Sequence, residues 1–209
     1  MQTLNLQLLT AFIPTFFVVS VTPGMCMTLA LSLGITIGVR RAMWMMVGEL
    51  AGVALVATAA AVGVATFMLA YPGLFTLFKY AGGLYLGWLG VQLWRSRGKL
   101  AMPENDTPPP NMSRLQLAAQ GFVTAIANPK GWAFFVALLP PFIDQSLPMA
   151  PQLTALILII LALEFSCLQL YAHGGRKLRQ TLRKGAGVTT LNRIAGTLMV
   201  LVGIWLAFG

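Results

Sequence analysis

Residues 4–33 read LNLQLLTAFIPTFFVVSVTPGMCMTLALSL, thirty positions without a charge, interrupted past the centre by Thr22-Pro23-Gly24. About 20 apolar residues cross the hydrocarbon core of a bilayer as a helix. The run is long enough for that. It is too long for the apolar part of a signal peptide, and no basic residue precedes it, so a retained span is expected. Proline removes a backbone hydrogen bond and clashes with the preceding turn. The adjacent glycine lets the chain leave helical geometry. The stretch therefore predicts a membrane span that is broken inside the membrane.

The rest of the 209 residues fits that reading. The chain is 57% apolar and only 9% charged, with mean hydropathy +0.79 and a net charge of +9. Average soluble domains are about 45–50% apolar and about 25% charged. So few charges cannot cover a soluble globule. An ordinary soluble enzyme, a disordered chain and a nucleic-acid-binding domain are thereby excluded. Six apolar segments can be drawn at 5–33, 43–70, 73–94, 115–140, 150–173 and 190–208. They are too long, and too uniformly apolar, for the alternating strands of a barrel. Gly48 and Gly52, Gly83 and Gly87 with Gly90, and Gly196 with Gly203 put small residues where helices approach closely in lipid.

Placement explains the net charge. Twelve of the fourteen Lys and Arg fall in or beside the loops after the first, third and fifth segments. The loops after the second and fourth have none. The positive-inside rule puts the basic loops in the cytoplasm and both termini outside. Trp44, Trp94 and Tyr71 sit at interface-anchor positions. Residues 101–113 form a polar, proline-rich cytoplasmic linker. It divides a single transmembrane domain, 1–209, into a three-helix repeat at 1–100 and a second at 114–209. Three is odd, so the second repeat must be inverted. The expected fold is an all-α integral membrane protein of six transmembrane helices in two inverted three-helix repeats, with broken helices 1 and 4.

The second break is Asn128-Pro129-Lys130-Gly131. Pro23 lies 17 residues before Arg40, and Pro129 lies 15 after Arg114. At about 1.5 Å per residue, each is about 22–26 Å from the inner charges, near the bilayer middle. Broken backbone at that depth must line a cavity or be buried in protein. The half-helices that follow aim positive dipole ends at the midplane, which suits a carboxylate. Paired interrupted helices in inverted halves point to the binding site of a secondary transporter, whose repeats rock to alternate access.

Four ionisable groups fall within spans: Glu49, Lys79, Lys130 and Glu164. Such groups usually face the bundle interior and mark substrate paths or proton relays. Glu164 and Glu49 are the candidates for proton coupling. Lys130 could pair with either, or with a substrate carboxylate, and Lys79 could snorkel to the surface. Thr22, Pro23, Gly24, Cys26, Glu49, Asn128, Pro129 and Lys130 are the candidate substrate-binding residues. Cys26 and Cys167 lie in apolar runs and read as buried thiols. No residue set has metal-ligand or triad spacing, and neither a metal, a cofactor nor a catalytic group is expected.

Together, Thr22-Pro23-Gly24, Tyr80-Ala81-Gly82-Gly83-Leu84-Tyr85-Leu86, Asn128-Pro129-Lys130, Leu163-Glu164 and Asn192-Arg193-Ile194-Ala195-Gly196 resemble the RhtB amino-acid exporters of the LysE superfamily. The resemblance covers nearly the whole chain. It implies export of amino acids or their derivatives from the bacterial cytoplasm, driven by the proton gradient. Family members take threonine, homoserine, leucine, cysteine or basic amino acids. The family usually has Pro-Gly-Pro followed by Asp or Asn, where this chain has Met25 and Cys26. It often has an acid at the position of Val53, where this chain has Glu49 one helical turn earlier, on the same face. These departures bear on the substrate.

The expected function is export of a small amino acid or derivative by proton antiport. The expected partners are that substrate, protons, the lipid bilayer and, through the glycine faces, a second copy of the chain as a homodimer. Three other readings are a permease for a metal or other small ion, with Glu49 and Glu164 as ligands, a membrane thiol redox protein using Cys26, and a non-transporting assembly subunit.

Overall fold

The structure is a computed structural model. It describes residues 5–70, 112–144, 146–183 and 186–208, and between them 80, 83–85, 87–88, 90–92 and 94–95. The described residues form helices and no strand. The helices are α1 (Leu6–Val21), α2 (Met25–Thr36), α3 (Val39–Ala70), α4 (Arg114–Ile126), α5 (Pro129–Leu138), α6 (Met149–Arg183) and α7 (Ala186–Phe208). A 3-10 turn at Pro140–Phe142 follows α5. Among the described residues, Val39–Gly63 and Met149–Gly174 are each long and apolar enough to cross a membrane. The pair α1 and α2 adds a third span if taken together. The expected span 73–94 lies largely outside the described residues, as do Tyr71, Lys79 and most of the linker.

Both expected breaks are present. Helix α1 stops where Pro23 can supply no N–H, and α2 resumes after extended Thr22 and Gly24, bent by 59°. Helix α4 stops at Ile126, and α5 begins with Pro129 at its first position, where the missing N–H costs nothing. The entry to α4 is a capping box. Ser113 Oγ accepts from the Gln116 N–H, and the Gln116 side chain accepts from the Ser113 N–H. Between α2 and α3 the chain turns at Gly38, whose φ of +82° is open to glycine at little cost.

The candidate span Met149–Gly174 agrees with the expected segment 150–173. What differs is the basic stretch after it, expected as loop: the helix runs on through Arg176, Lys177 and Arg179 to Arg183. Lys, Arg, Gln and Leu are all good helix formers.

Small residues set the closest contact in the bundle. A Cβ at Gly48 would strike the Ala118 backbone, and one at Gly121 would strike the Met45 carbonyl. At Gly52 it would come 2.7 Å from Ala125 Cβ. Helices α3 and α4 thus meet backbone to backbone, as the Gly48-x-x-x-Gly52 spacing implies. Gly34 packs in the same way on Ala172 of α6. Gly90 and Gly196 face each other, each with the other's carbonyl 2.5 Å from its added Cβ. Among the described residues, nothing lies within 4 Å of a Cβ added at Gly87.

Two buried clusters fill the interior. One gathers Phe12, Phe16, Phe134, Phe135 and Phe142 with Val56 and Ile160. The other gathers Met27, Leu31, Met45, Met46, Leu168 and Tyr171. The outside stays apolar, with Leu6, Leu84, Leu115, Leu158 and Leu170 all exposed. Trp44 and Trp94 are exposed too, each under a guanidinium, Arg114 at 5.4 Å and Arg193 at 5.2 Å.

Candidate substrate site

The two breaks meet at one cavity. Thr22, Gly24 and Cys26 line it from the first, and Asn128 and Gly131 from the second. Glu49 enters from α3 and Glu164 from α6. The cavity offers water centres about 70 Å3, several times what a single water needs. Six of the expected site residues are thereby brought together, and Pro23 sits in the break between two of them. Pro129 opens α5, but its side chain and that of Lys130 lie outside what the structure describes.

Backbone freed by the breaks is satisfied by side chains. Tyr171 donates to the Val21 carbonyl at 2.8 Å. Trp132 donates its indole N–H to the Ile126 carbonyl at 2.9 Å. Thr22 and Thr28 donate to the carbonyls of Val18 and Gly24. Each break therefore has its last helical turn closed by an aromatic donor, as backbone away from water requires. The start of α2 is different. No side chain caps it, and its cap residue, Gly24, lies on the cavity wall. A Cβ on Gly24 would find only the Thr22 carbonyl, at 3.9 Å. An open, uncapped helix N-terminus with its partial positive charge faces the cavity.

Facing it are the acids. Glu49 is fully buried, and among the described residues neither carboxylate oxygen has a hydrogen-bond partner. The groups beside it are the Cys26 thiol and the Glu164 carboxyl. Glu164 accepts a 2.6 Å hydrogen bond from Ser20 Oγ. Val53, one turn from Glu49, lines the same cavity, so an acid at either position reaches it. Cys26 and Cys167 are both buried free thiols. No group of three or more His, Cys, Asp and Glu among the described residues could hold a metal ion.

Ser20, Tyr171, Trp132, Phe134 and Phe135 were not expected from sequence. Ser20 had a faint signal, as a hydroxyl two residues before Thr22. Tyr171 had another, because it shares a helical face with Glu164 and Cys167 at spacings of seven and four.

The sequence profile described as "LysE type translocator" matches residues 17–209. An uncharacterized membrane protein of Vibrio cholerae is 28% identical over 197 residues, 94% of this chain and 95% of its own. The homoserine/homoserine lactone efflux protein of Salmonella typhimurium is 27% identical over 197 residues, 94% of each chain. The leucine efflux protein of an Enterobacter species is 32% identical over 138 residues, 66% of this chain and 64% of its own. No solved structure matches the chain significantly.

Proposed function

The chain belongs to the LysE-type translocator family of membrane proteins, and from that premise we propose that it exports a small amino acid or amino-acid derivative from the cytoplasm by proton antiport. One observation carries this reading. An uncapped helix N-terminus at Gly24 and the acids Glu49 and Glu164 share one cavity at the junction of two broken helices. A zwitterion matches that layout, with its carboxylate at the N–H groups after Gly24 and its ammonium at the acids. Thr22, Cys26 and Asn128 contribute polar contacts, Pro23 and Pro129 hold the breaks open, and Lys130 balances the acids when substrate is absent. Two carboxylates in low dielectric need a counter-charge or a proton. Exchange of the ammonium for a proton at Glu164, with Glu49 assisting, couples export to the gradient. Alternating access proceeds about the breaks of six spans in two inverted repeats. The linker is cytoplasmic, and both termini face the periplasm. The relatives named for homoserine, homoserine lactone and leucine efflux support the substrate class.

The test is efflux from proteoliposomes loaded with amino acids, with and without a pH gradient, for the wild type and Glu164→Gln. Gradient-stimulated efflux in the wild type and none in the variant is expected. Equal stimulation in both would remove Glu164 from coupling. A thermal-stability screen of detergent-purified protein against all amino acids identifies the ligand, because a ligand that binds only the folded state raises its melting temperature.

A further inference from the structure

The cavity joins a polar lining, Ser20, Thr22, Glu49, Asn128 and Glu164, to an apolar one, Phe16, Val19, Val53, Val56, Phe134 and Phe135. A second cavity, offering about 140 Å3, shares part of that lining and is bounded by Pro14, Thr15, Val18, Val19, Phe134, Leu198 and Met199. Val19 and Phe134 line both spaces. Phe134 is buried and its ring is held by Phe16, with centroids 5.8 Å apart, and by Phe135 at 6.2 Å. Among the described residues lining the second space, Thr15 alone has a hydrogen-bonding side chain, and its hydroxyl is used on the Ala11 carbonyl.

We infer that the exported molecule carries an apolar side chain, which lies against Phe134 and Val19 and extends towards the second space, and that Phe134 sets the length accepted. This rests on the reading of the chain as an amino-acid exporter and narrows it. A hydroxyl placed among these rings would lose its water and gain no partner. A branched aliphatic or thioether side chain loses nothing and gains contact. Hydrophobic pockets discriminate by about tenfold or more per methylene, so preference for leucine or methionine over homoserine and alanine is expected at that order. Truncating Phe134 to alanine joins the two spaces and admits bulkier substrates. Enlarging Val18, which lines only the second space, shortens what fits.

The experiment is competitive efflux from proteoliposomes loaded with equal leucine, phenylalanine, homoserine and alanine, for wild type, Phe134→Ala and Val18→Phe. The wild type should export leucine about tenfold faster than homoserine. Phe134→Ala should raise the phenylalanine-to-leucine ratio, and Val18→Phe should lower the leucine-to-alanine ratio. Ratios are read within one preparation, so a poorly folded variant does not mimic the result. If Phe134→Ala is too unstable to reconstitute, Val18→Phe and the wild-type preference decide. Homoserine exported as fast as leucine, with ratios unmoved by either variant, overturns the inference and leaves the exporter reading intact. No efflux of any amino acid by the wild type overturns the exporter reading itself.

Discussion

Ser20 donates a 2.6 Å hydrogen bond to Glu164 Oε2, tying the last turn before the first break to the middle of α6. The two residues are 144 apart in sequence and come from opposite halves of the chain. A hydrogen bond to an ionised group contributes about 1.5–3 kcal/mol, more than a neutral one. Ser20→Ala should slow gradient-driven efflux about tenfold, alter its pH profile and lower the melting temperature by a few degrees. An unaltered pH profile would mean that Ser20 only packs.

Tyr171 closes the Val21 carbonyl from α6. Tyr171→Phe keeps the ring and removes the donor. Interhelical hydrogen bonds in membranes are worth about 0.6–2 kcal/mol, which lowers melting by a few degrees in a chain of this size. Differential scanning fluorimetry in detergent checks this. An unchanged melting temperature would show that the carbonyl finds another donor.

Glycine at positions 48 and 121 is required by contact. Any side chain at either meets backbone of the facing helix, which cannot fold aside. Overpacking of this kind costs about 3 kcal/mol or more. Gly48→Leu and Gly121→Leu should each fail to give a monodisperse protein, or melt well below wild type on gel filtration and heating. Gly63→Ala, with nothing within 4 Å, should melt at or slightly above wild type.

Asp144, in the loop between the 3-10 turn and α6, accepts hydrogen bonds from Ser146 and from Asn5 Nδ2. Those donors hold its carboxyl below the usual carboxylate range, Ser146 most strongly. Because the folded value is depressed, the stabilisation is fully present above the ordinary aspartate value. It is lost as pH falls through the lower folded value. Melting followed from pH 6 to about 3 should decline more steeply in the wild type than in Asp144→Asn. Parallel curves would show that the loop does not depend on this charge.

What was legible in the sequence was what a short local pattern dictates. Pro23 beside Gly24 and Pro129 after Asn128 mark helix boundaries, whereas a proline alone does not, since Pro14 lies inside α1; the Gly48-Gly52 spacing announces a close contact. An acid inside an apolar run, such as Glu49, must face inward. The rest depended on how each helix is rotated about its axis. Phe134 and Phe135 are adjacent aromatic residues in an apolar run, and nothing local says that Phe134 separates two spaces. Ser20 looks like any hydroxyl in a membrane helix until α6 brings Glu164 beside it. The helix beyond Gly174 was not legible because a basic stretch after an apolar run reads as loop, although its residues favour helix.

The seam between α3 and α4 bears on how the protein can move. Helix α3 precedes the linker and α4 follows it, yet their backbones touch through Gly48, Gly52 and Gly121. Arg41 Nη2 adds a hydrogen bond to the Met112 carbonyl at the end of that seam. Gly34 likewise seats α2 on α6. Contacts of this kind do not slide, because every intermediate offset drives Cβ atoms into carbonyls. These close contacts therefore tie together segments that lie on either side of the linker in sequence. Spin labels at the exposed positions Val47 and Leu115 should keep one separation throughout turnover. The flexing would fall at Thr22–Gly24 and Ala127–Asn128, where the covalent chain is itself the hinge.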